Sequence, residues 1–249
     1  MKIKERDGST YLTVNDDLRR TSGLPAIAGF TMMCWFLPRT ITAASQAIMT
    51  FGSETDYDWY NMYLVATTGE FAMYNGATVY SSGRTAATNR WYHCAVRVTS
   101  TSQGGLTGFL DGGRTTWTGD GRGTNTAGRL SVGRNYSGFA ADGQYCALKV
   151  WNAKLSRQEI QTEMRFVDAV RTANLSILSP LTSARERLDF SGLRNNLLLT
   201  GSAVQSARFP PGVEFMSRKH FLFASVPWIP NPVFQLPQPT HETFDVVAY

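Results

Sequence analysis

The chain has 249 residues, of which 43% are hydrophobic and 17% charged, and its formal net charge is +5. This composition is that of a globular protein, and no segment reaches the roughly 18 uninterrupted apolar residues that a membrane helix requires. Of the 24 basic residues 19 are arginines, scattered singly along the chain, which argues against the clustered cations of a nucleic-acid groove.

Short alternating apolar runs separated by glycines extend from Phe30 to about Asn152 and predict β-strands. The predicted strands cover residues 30–37, 47–51, 59–66, 70–74, 90–98, 106–117, 129–133 and 144–151. Asp111-Gly112 predicts a hairpin turn within 106–117, because this dipeptide tolerates positive φ angles. The run 90–98 alternates strictly, so we expect one face of that strand on a core. One face carries Tyr92, Cys94, Val96 and Val98, and the other carries Trp91, His93, Ala95 and Arg97.

One segment, LSRQEIQTEMRFV, has helical rather than strand periodicity. Ser156 and Glu159 have the spacing of a capping box, Leu155 can pack on Ile160, and an apolar stripe continues to Met164 and Val167. The strand pattern resumes in NLSILSPL, NNLLLTG and FPPGVEF between residues 174 and 215. The sequence therefore predicts an all-β antiparallel two-sheet sandwich with one short helix near 156–167.

The three cysteines, Cys34, Cys94 and Cys146, each lie in an apolar alternating run. An odd number cannot pair completely, and a free cysteine in such a run behaves as a small buried hydrophobic residue. No basic neighbour in the sequence would activate them. We therefore expect all three to be reduced, buried and inert.

Six segments occur in an order that resembles the concanavalin A-like, laminin-G-type jelly roll over about residues 7 to 166: DGSTYLTV, GFTMMCWFLPRT, NRWYHCAVRV, LTGFLDGG, GRLSVGRN and DGQYCALKVWNAKLSRQEI. Such domains often begin with a segment similar to ILSPL and LDFSGLRNNLLLTG, which here comes last. The first and last strands of a jelly roll lie side by side, so the resemblance implies a circularly permuted sandwich. We expect one domain over residues 1–215 and an extended arm over 216–249.

ETDYDW, residues 54 to 59, resembles the E-x-D-x-x-E pattern of glucanases with this fold, but Trp59 stands where the second glutamate would be. Glycosidases of this kind need two carboxylates. The histidines, His93, His220 and His241, belong to no catalytic motif. We therefore expect no enzymatic activity.

The resemblance also raises the question of a Ca²⁺ site, since some laminin-G-type domains bind this ion at one rim. Asp56, Asp58 and Asp120 lie in loop-like stretches and could contribute. Ca²⁺ takes about six to eight oxygen ligands and the sequence has no dense acidic loop. We expect no cofactor, with Ca²⁺ as the one candidate, and interpret these aspartates as turn residues.

The segment HFLFASVPWIPNPVFQLPQP, residues 220 to 239, combines five prolines with large aromatic residues. The prolines predict an extended chain. A free tail would leave Phe221, Phe223, Trp228, Phe234 and Phe244 in water, each ring forgoing about 2 kcal/mol of burial. We expect these five residues to bind a partner, either copies of this chain or a shell protein; the alternative is that the arm wraps its own sandwich.

Two functions follow from these features. A sandwich with a docking arm, no active site and no apolar secretory signal after Met1 resembles a structural virion protein of a tailed phage, such as a capsid decoration, head-fibre or tail component, made in the cytoplasm and located in the virion. The alternative is a lectin-like module that binds surface glycans, because aromatic residues such as Trp59, Tyr60 and Tyr63 could stack on sugars. Fold resemblance supports both.

Overall fold

The computed structural model describes residues 9–12, 17–20, 24, 29–52, 59–100, 102–121, 129–135, 137–182, 188–201, 204–206 and 208–216. These residues form two antiparallel sheets and one α-helix, α1 (Arg157–Glu163). The strands are β1 (Ser9–Leu12), β2 (Asp17–Arg20), β3 (Phe30–Pro38), β4 (Gln46–Gly52), β5 (Trp59–Leu64), β6 (Glu70–Tyr74), β7 (Val79–Thr85), β8 (Tyr92–Val98), β9 (Leu106–Leu110), β10 (Thr115–Gly119), β11 (Arg129–Val132), β12 (Gly143–Trp151), β13 (Leu175–Ser179), β14 (Leu198–Thr200) and β15 (Val204–Ser206). The predicted all-β jelly-roll sandwich with one short helix is confirmed.

The first sheet has the order β10-β9-β8-β3-β12-β1-β15. Two strands share one edge of β12: β1 pairs with its first residues, from Gly143 to Tyr145, and β13 pairs with its last residues, from Leu148 to Trp151. The second sheet has the order β14-β2-β11-β4-β5-β6-β7. The last two strands lie beside the first two, because β15 pairs with β1 and β14 pairs with β2. This is the arrangement that the permuted order of sequence segments predicts.

The sequence analysis did not predict three strands, β2, β7 and β15, and one strand that it predicted is wrong. β2 and β15 are short, and β7 reads VYSSGRT, whose serines and glycine give no apolar alternation. FPPGVEF contributes only an isolated bridge from Glu214 to Phe166. Its two adjacent prolines remove the N–H groups that a ladder needs.

The main core lies between the two sheets and consists of inward-facing apolar residues from both. Among its largest fully buried side chains are Phe30, Phe36, Phe51, Tyr60 and Tyr145. Cys34 and Cys94 belong to this core and lie opposite each other in the register of β3 and β8. The core thus includes two of the three cysteines, as expected.

The outer face of the first sheet is also buried, so both faces of β8 are covered, whereas the sequence analysis assigned only one face to a core. His93 and Ala95, on that outer face, are 2% and 0% exposed. They lie under a layer that we call the cover, formed by residues 155–171, which include α1, and residues 208–216. Its apolar residues include Leu155, Ile160 and Ala169 in one cluster and Val167 and Val213 in another.

The helix of the cover begins as predicted but is shorter. Ser156 accepts a hydrogen bond from the Glu159 backbone and the Glu159 side chain accepts one from the Ser156 backbone, which completes the capping box. Regular helix ends at Glu163, so Val167 lies beyond it. Lys149 of β12 donates hydrogen bonds to the carbonyl oxygens of Glu163, Phe166 and Asp168. These bonds hold the segment after Glu163 against the sheet in a non-helical conformation.

The predicted turn between β9 and β10 is confirmed and is one residue longer than expected. Asp111, Gly112 and Gly113 have φ angles of 50°, 66° and 88° and form a left-handed turn, which the Arg114 N–H closes by donating to the Asp111 carbonyl oxygen at 3.4 Å. The Asp111 carboxylate accepts a hydrogen bond from the His93 backbone N–H at 3.1 Å. The turn is therefore tied to the neighbouring strand β8.

Candidate functional site

A concave pocket opens on the outer face of the second sheet, opposite the side that faces the core. Its volume is about 310 Å³. Strands β5, β6 and β7 form its floor, and the loop that follows β11 forms one wall. Its lining residues are Ser45, Asn61, Tyr63, Tyr74, Val79, Asn135, Ser137 and Phe139. We call it the outer pocket.

Strand alternation places three of these side chains on the floor. Tyr60, Met62 and Leu64 of β5 face the core, so Asn61 and Tyr63 between them face outward. Asn61 pairs with Tyr74 of β6, which brings the two onto the same face. The register of β5 and β6 therefore builds the polar and aromatic floor.

Of the aromatic residues predicted to stack on sugars, the structure places one described side chain in the outer pocket. Tyr63 lines the outer pocket. Tyr60 does not, because it is 1% exposed and its ring lies 5.6 Å from that of Phe30 in the core. The side chain of Trp59 lies outside the described residues.

A tight loop after β11 holds an aromatic ring at the mouth of the pocket. The Asn135 side-chain oxygen Oδ1 accepts a hydrogen bond from the Phe139 N–H at 2.8 Å, and the Asn135 N–H donates to the Phe139 carbonyl at 3.0 Å. Gly138, at φ 85°, permits the turn. Phe139 is 43% exposed, so a large ring faces solvent beside the pocket.

Two buried carboxamides give the pocket its hydrogen-bonding character. Asn61 and Asn135 are 3% and 4% exposed. The Oδ1 of Asn61 accepts a hydrogen bond from the Thr50 hydroxyl at 3.1 Å, and the Oδ1 of Asn135 is held by Phe139. Neither Nδ2 group donates to another described residue. Because each oxygen is held by a hydrogen bond while the NH₂ group has no described partner, each residue offers its NH₂ group to a ligand.

The lining is uncharged. Burial, together with the neighbouring Tyr74, raises the pKa of Tyr63 to about 12. Tyr63 therefore keeps its hydroxyl proton at neutral pH and can both donate and accept a hydrogen bond. The pocket combines amide donors, hydroxyl groups and one exposed ring, and holds no acid or base suited to proton transfer at neutral pH.

The described part of the chain contains no group of three or more His, Cys, Asp and Glu residues that could hold a metal ion. Asp120 is exposed, and its carboxylate accepts a hydrogen bond from the Gly104 N–H at 3.0 Å, which is the role of a turn residue. Asp56 and Asp58 lie outside the described residues. So do Glu54, His220, His241 and the five aromatic residues of the predicted arm.

The cysteines are buried, and their surroundings suppress the thiolate. Burial raises the pKa of all three thiols. Cys146 has a basic neighbour that the sequence analysis missed, Lys149 on the same strand, but burial outweighs the lowering of the thiol pKa by that charge. All three are free thiols.

We therefore expect that a thiol reagent such as 5,5′-dithiobis(2-nitrobenzoate) modifies none of the three cysteines in the native protein, because the reactive thiolate is not formed. In denaturant all three should react within minutes. Rapid release of even one equivalent from the native protein would contradict the assignment of these thiols to the packed interior.

Of the eight lining residues only Tyr63 was predicted from the sequence, and the sequence analysis missed the four that shape the floor and the mouth, namely Asn61, Tyr74, Asn135 and Phe139. The alternation in WYNMYL and EFAMY could have identified the outward positions Asn61 and Tyr74. An aromatic residue between glycine and alanine in NYSGFA could have indicated an exposed ring. Their convergence depends on the order of strands in the second sheet, which the sequence does not provide.

Residues 6–161, more than half of the chain, match a laminin-G-type sequence profile described as the concanavalin A-like lectin/glucanases superfamily. A Bacteroides ovatus protein described as carbohydrate-binding has a TM-score of 0.63 and 16% identity over 81% of this chain, which spans 60% of that protein. A heptameric SAP-like pentraxin from Limulus polyphemus has a TM-score of 0.57 and 14% identity, covering 84% of this chain and 98% of its own.

A third solved structure is domain 4 of an extracellular arabinanase from Geobacillus stearothermophilus, in complex with arabinotriose. It has a TM-score of 0.51 and 18% identity, covering 63% of this chain and 76% of its own. No curated protein matches this chain in sequence. At these identities the structural similarity establishes a shared fold.

No helix among the described residues is long and apolar enough to span a bilayer.

Proposed function

Because the chain belongs to the concanavalin A-like lectin/glucanases superfamily, we propose that it is a non-catalytic domain that binds carbohydrate in the outer pocket. The observation that carries this proposal is the pairing of two oriented amide donors, on Asn61 and Asn135, with the exposed ring of Phe139. A sugar presents hydroxyl oxygens around its rim and apolar C–H groups on its faces. The pocket offers a partner for each.

The positions of these groups suit one sugar residue. Asn61 and Tyr63 lie on the floor and can bind hydroxyl groups that enter the pocket. Phe139, with Val79 at 52% exposure, can contact the apolar face of the ring. Both asparagines are fixed by hydrogen bonds before a ligand arrives, so little side-chain entropy is lost on binding.

The comparisons support this reading more than the virion role. Two of the structures with the same fold are described as carbohydrate-binding or as solved with an arabinose oligosaccharide. The family match and these structures give no support to a capsid or tail component. That hypothesis rests on residues 217–249, which lie outside the described residues.

We expect Phe139→Ala to weaken binding to a glycan at least tenfold, because removal of a ring that contacts the sugar costs about 1 to 2 kcal/mol. The measurement is a glycan-array screen followed by isothermal titration calorimetry with the best oligosaccharide. Phe190→Ala is the matched control. Phe190 is 41% exposed, and its backbone binds β13 of the first sheet, so it does not line the outer pocket.

Equal affinities of the wild type, Phe139→Ala and Phe190→Ala for the same sugar would place the binding site elsewhere. An array with no bound glycan would reject carbohydrate binding altogether. A second variant, Asn135→Ala, removes both the amide donor and the hydrogen bond that positions Phe139. It should therefore weaken glycan binding at least as much as Phe139→Ala does.

We propose a separate role for the C-terminal residues 217–249 as a docking arm. Its motive is the sequence alone: Phe221, Phe223, Trp228, Phe234 and Phe244 are too apolar for a free tail. A stop after Met216 preserves the described part of the chain, because Met216 is 7% exposed and its N–H binds the Asp168 carboxylate at 2.9 Å. The truncated protein should remain folded and lose any self-association of the full chain.

The measurement is sedimentation velocity of the two proteins at matched concentrations. If the full chain is an oligomer and the truncated protein is a monomer with unchanged glycan affinity, the arm and the pocket act independently. Identical sedimentation of the two proteins would leave the arm without a role in self-association.

A further inference from the structure

The charge of the lining of the outer pocket bears on the class of ligand that it can take. The lining has tyrosine, serine and asparagine hydrogen-bonding groups and no carboxylate, ammonium or guanidinium group. We propose, on the basis of the proposed carbohydrate function, that the outer pocket takes an uncharged sugar residue and rejects sialic and uronic acids. This inference concerns the ligand class, whereas the proposed function concerns the presence of a sugar site.

The charged residues Glu70 and Arg134 are close in sequence to lining residues, but neither is part of the lining. Glu70 of β6 accepts hydrogen bonds from the Ser81 hydroxyl and the Gly83 N–H, at the far end of the strand from Tyr74. Arg134 precedes Asn135, and its guanidinium lies beside Gly138, between the lining residues Ser137 and Phe139, but is not itself part of the lining. Among the described residues that line the pocket, none offers a cation to a bound carboxylate.

An unpaired carboxylate is costly to transfer from water into a mostly buried site. The pocket floor is such a site, since Asn61, Tyr63 and Asn135 are all less than 8% exposed. Amide NH₂ groups would compensate for part of this loss, but as neutral donors they bind a carboxylate more weakly than an arginine does. A sugar hydroxyl, a ring oxygen or an acetamido carbonyl has a much smaller desolvation penalty.

The donor pattern points to the same class. Each asparagine oxygen already accepts a hydrogen bond from the protein, whereas neither NH₂ group donates to a described residue, so Asn61 and Asn135 present mainly donors to a ligand. The complementary ligand is one with neutral oxygen acceptors and an apolar face toward Phe139. A neutral hexose, pentose or N-acetylhexosamine residue meets this description.

The test compares neutral and acidic oligosaccharides that share a core, for example lactose with 3′-sialyllactose and cellobiose with cellobiouronic acid, by array and then by calorimetry on the full chain. We expect the neutral member of each binding pair to have at least tenfold higher affinity. Asn61→Asp retains the acceptor for the Thr50 hydroxyl but replaces the donor, so it should weaken binding about tenfold. Arg134→Gln should leave the affinity unchanged.

Preference for the acidic member, with loss of that preference in Arg134→Gln, would overturn the inference while leaving carbohydrate binding in place. Binding of neither member in any pair, on an array that spans hexoses, pentoses and amino sugars, would reject the proposed function and the inference together. The wild-type comparison decides the ligand class even if a variant fails to fold, which circular dichroism would show.

Discussion

Replacing Lys149 with methionine should lower the free energy of unfolding by about 3 to 5 kcal/mol, the range for breaking a buried ion pair. Lys149 and Glu163 are each 1% exposed at the side chain, and Nζ lies 2.8 Å from the Glu163 carboxylate. Methionine preserves much of the volume and removes the charge. The carboxylate of Glu163 then stays buried without its cation, and three carbonyl oxygens lose their donor.

A matched control lies in the same cover. Arg171 and Glu159 also form an ion pair, but their side chains are 32% and 37% exposed. Arg171→Ala should therefore cost at most about 1 kcal/mol. Urea denaturation of the wild type and the variants gives all the values. In Lys149→Met/Glu163→Gln the unpaired charge is gone, so part of the loss should be recovered. A Lys149→Met effect no larger than that of Arg171→Ala would contradict the structural role of the pair.

Acid should destabilise the native protein through His93, and the variant His93→Gln should lack this component. Burial, with a smaller contribution from the charge of Lys149, lowers the pKa of His93 to about 3. Its Nδ1 has no hydrogen-bond partner among the described residues. The native state therefore holds the neutral imidazole, whereas the unfolded chain protonates near pH 6.5.

Between these pH values the unfolded state binds one more proton than the native state. The stability contribution of the neutral His93 is therefore fully present above about pH 6.5 and declines as the pH falls toward 3. The slope is about 1.4 kcal/mol per pH unit, so the loss from pH 6.5 to 5 is about 2 kcal/mol. Urea denaturation of both proteins at pH 7, 6 and 5 isolates this component, because all other titrating groups are shared. Parallel stability curves for the wild type and His93→Gln would show that the pKa of His93 is the same in the native and unfolded states, which contradicts its burial as a neutral imidazole.

Local signals in the sequence predict local structure well. Ser156 and Glu159 identify the helix start because the capping box uses side chains three residues apart. Asp111-Gly112 identifies the turn because positive φ is a property of those residues. The alternation in YHCAVRV identifies β8, although it does not show that both faces are buried.

Long-range contacts account for what the sequence does not predict. Lys149 lies in an apolar strand sequence, and nothing in that strand indicates a partner carboxylate on a helix 14 residues away. The helix end depends on this contact, so the stripe continuing to Val167 is misleading. The outer pocket likewise requires residues from β5, β6 and the loop after β11 to meet, which follows from the strand order. Tyr63 was identified because aromatic side chains can stack on sugars, whereas Asn135 had no comparable signal.

The pairing of β1 with β15 determines how the sandwich responds to tension. Ser9 lies opposite Ser206, and the antiparallel ladder runs from that pair toward Tyr11 and Val204. The chain therefore enters β1 and leaves β15 at the same end of this ladder. A force that pulls the chain before β1 and the chain after β15 in opposite directions would first detach residues 208–216 from the first sheet and the rest of the cover. It would then break the hydrogen bonds between β1 and β15 one after another. Such peeling requires less force than shearing all the bonds at once, so this sandwich should be mechanically soft when pulled along its own chain.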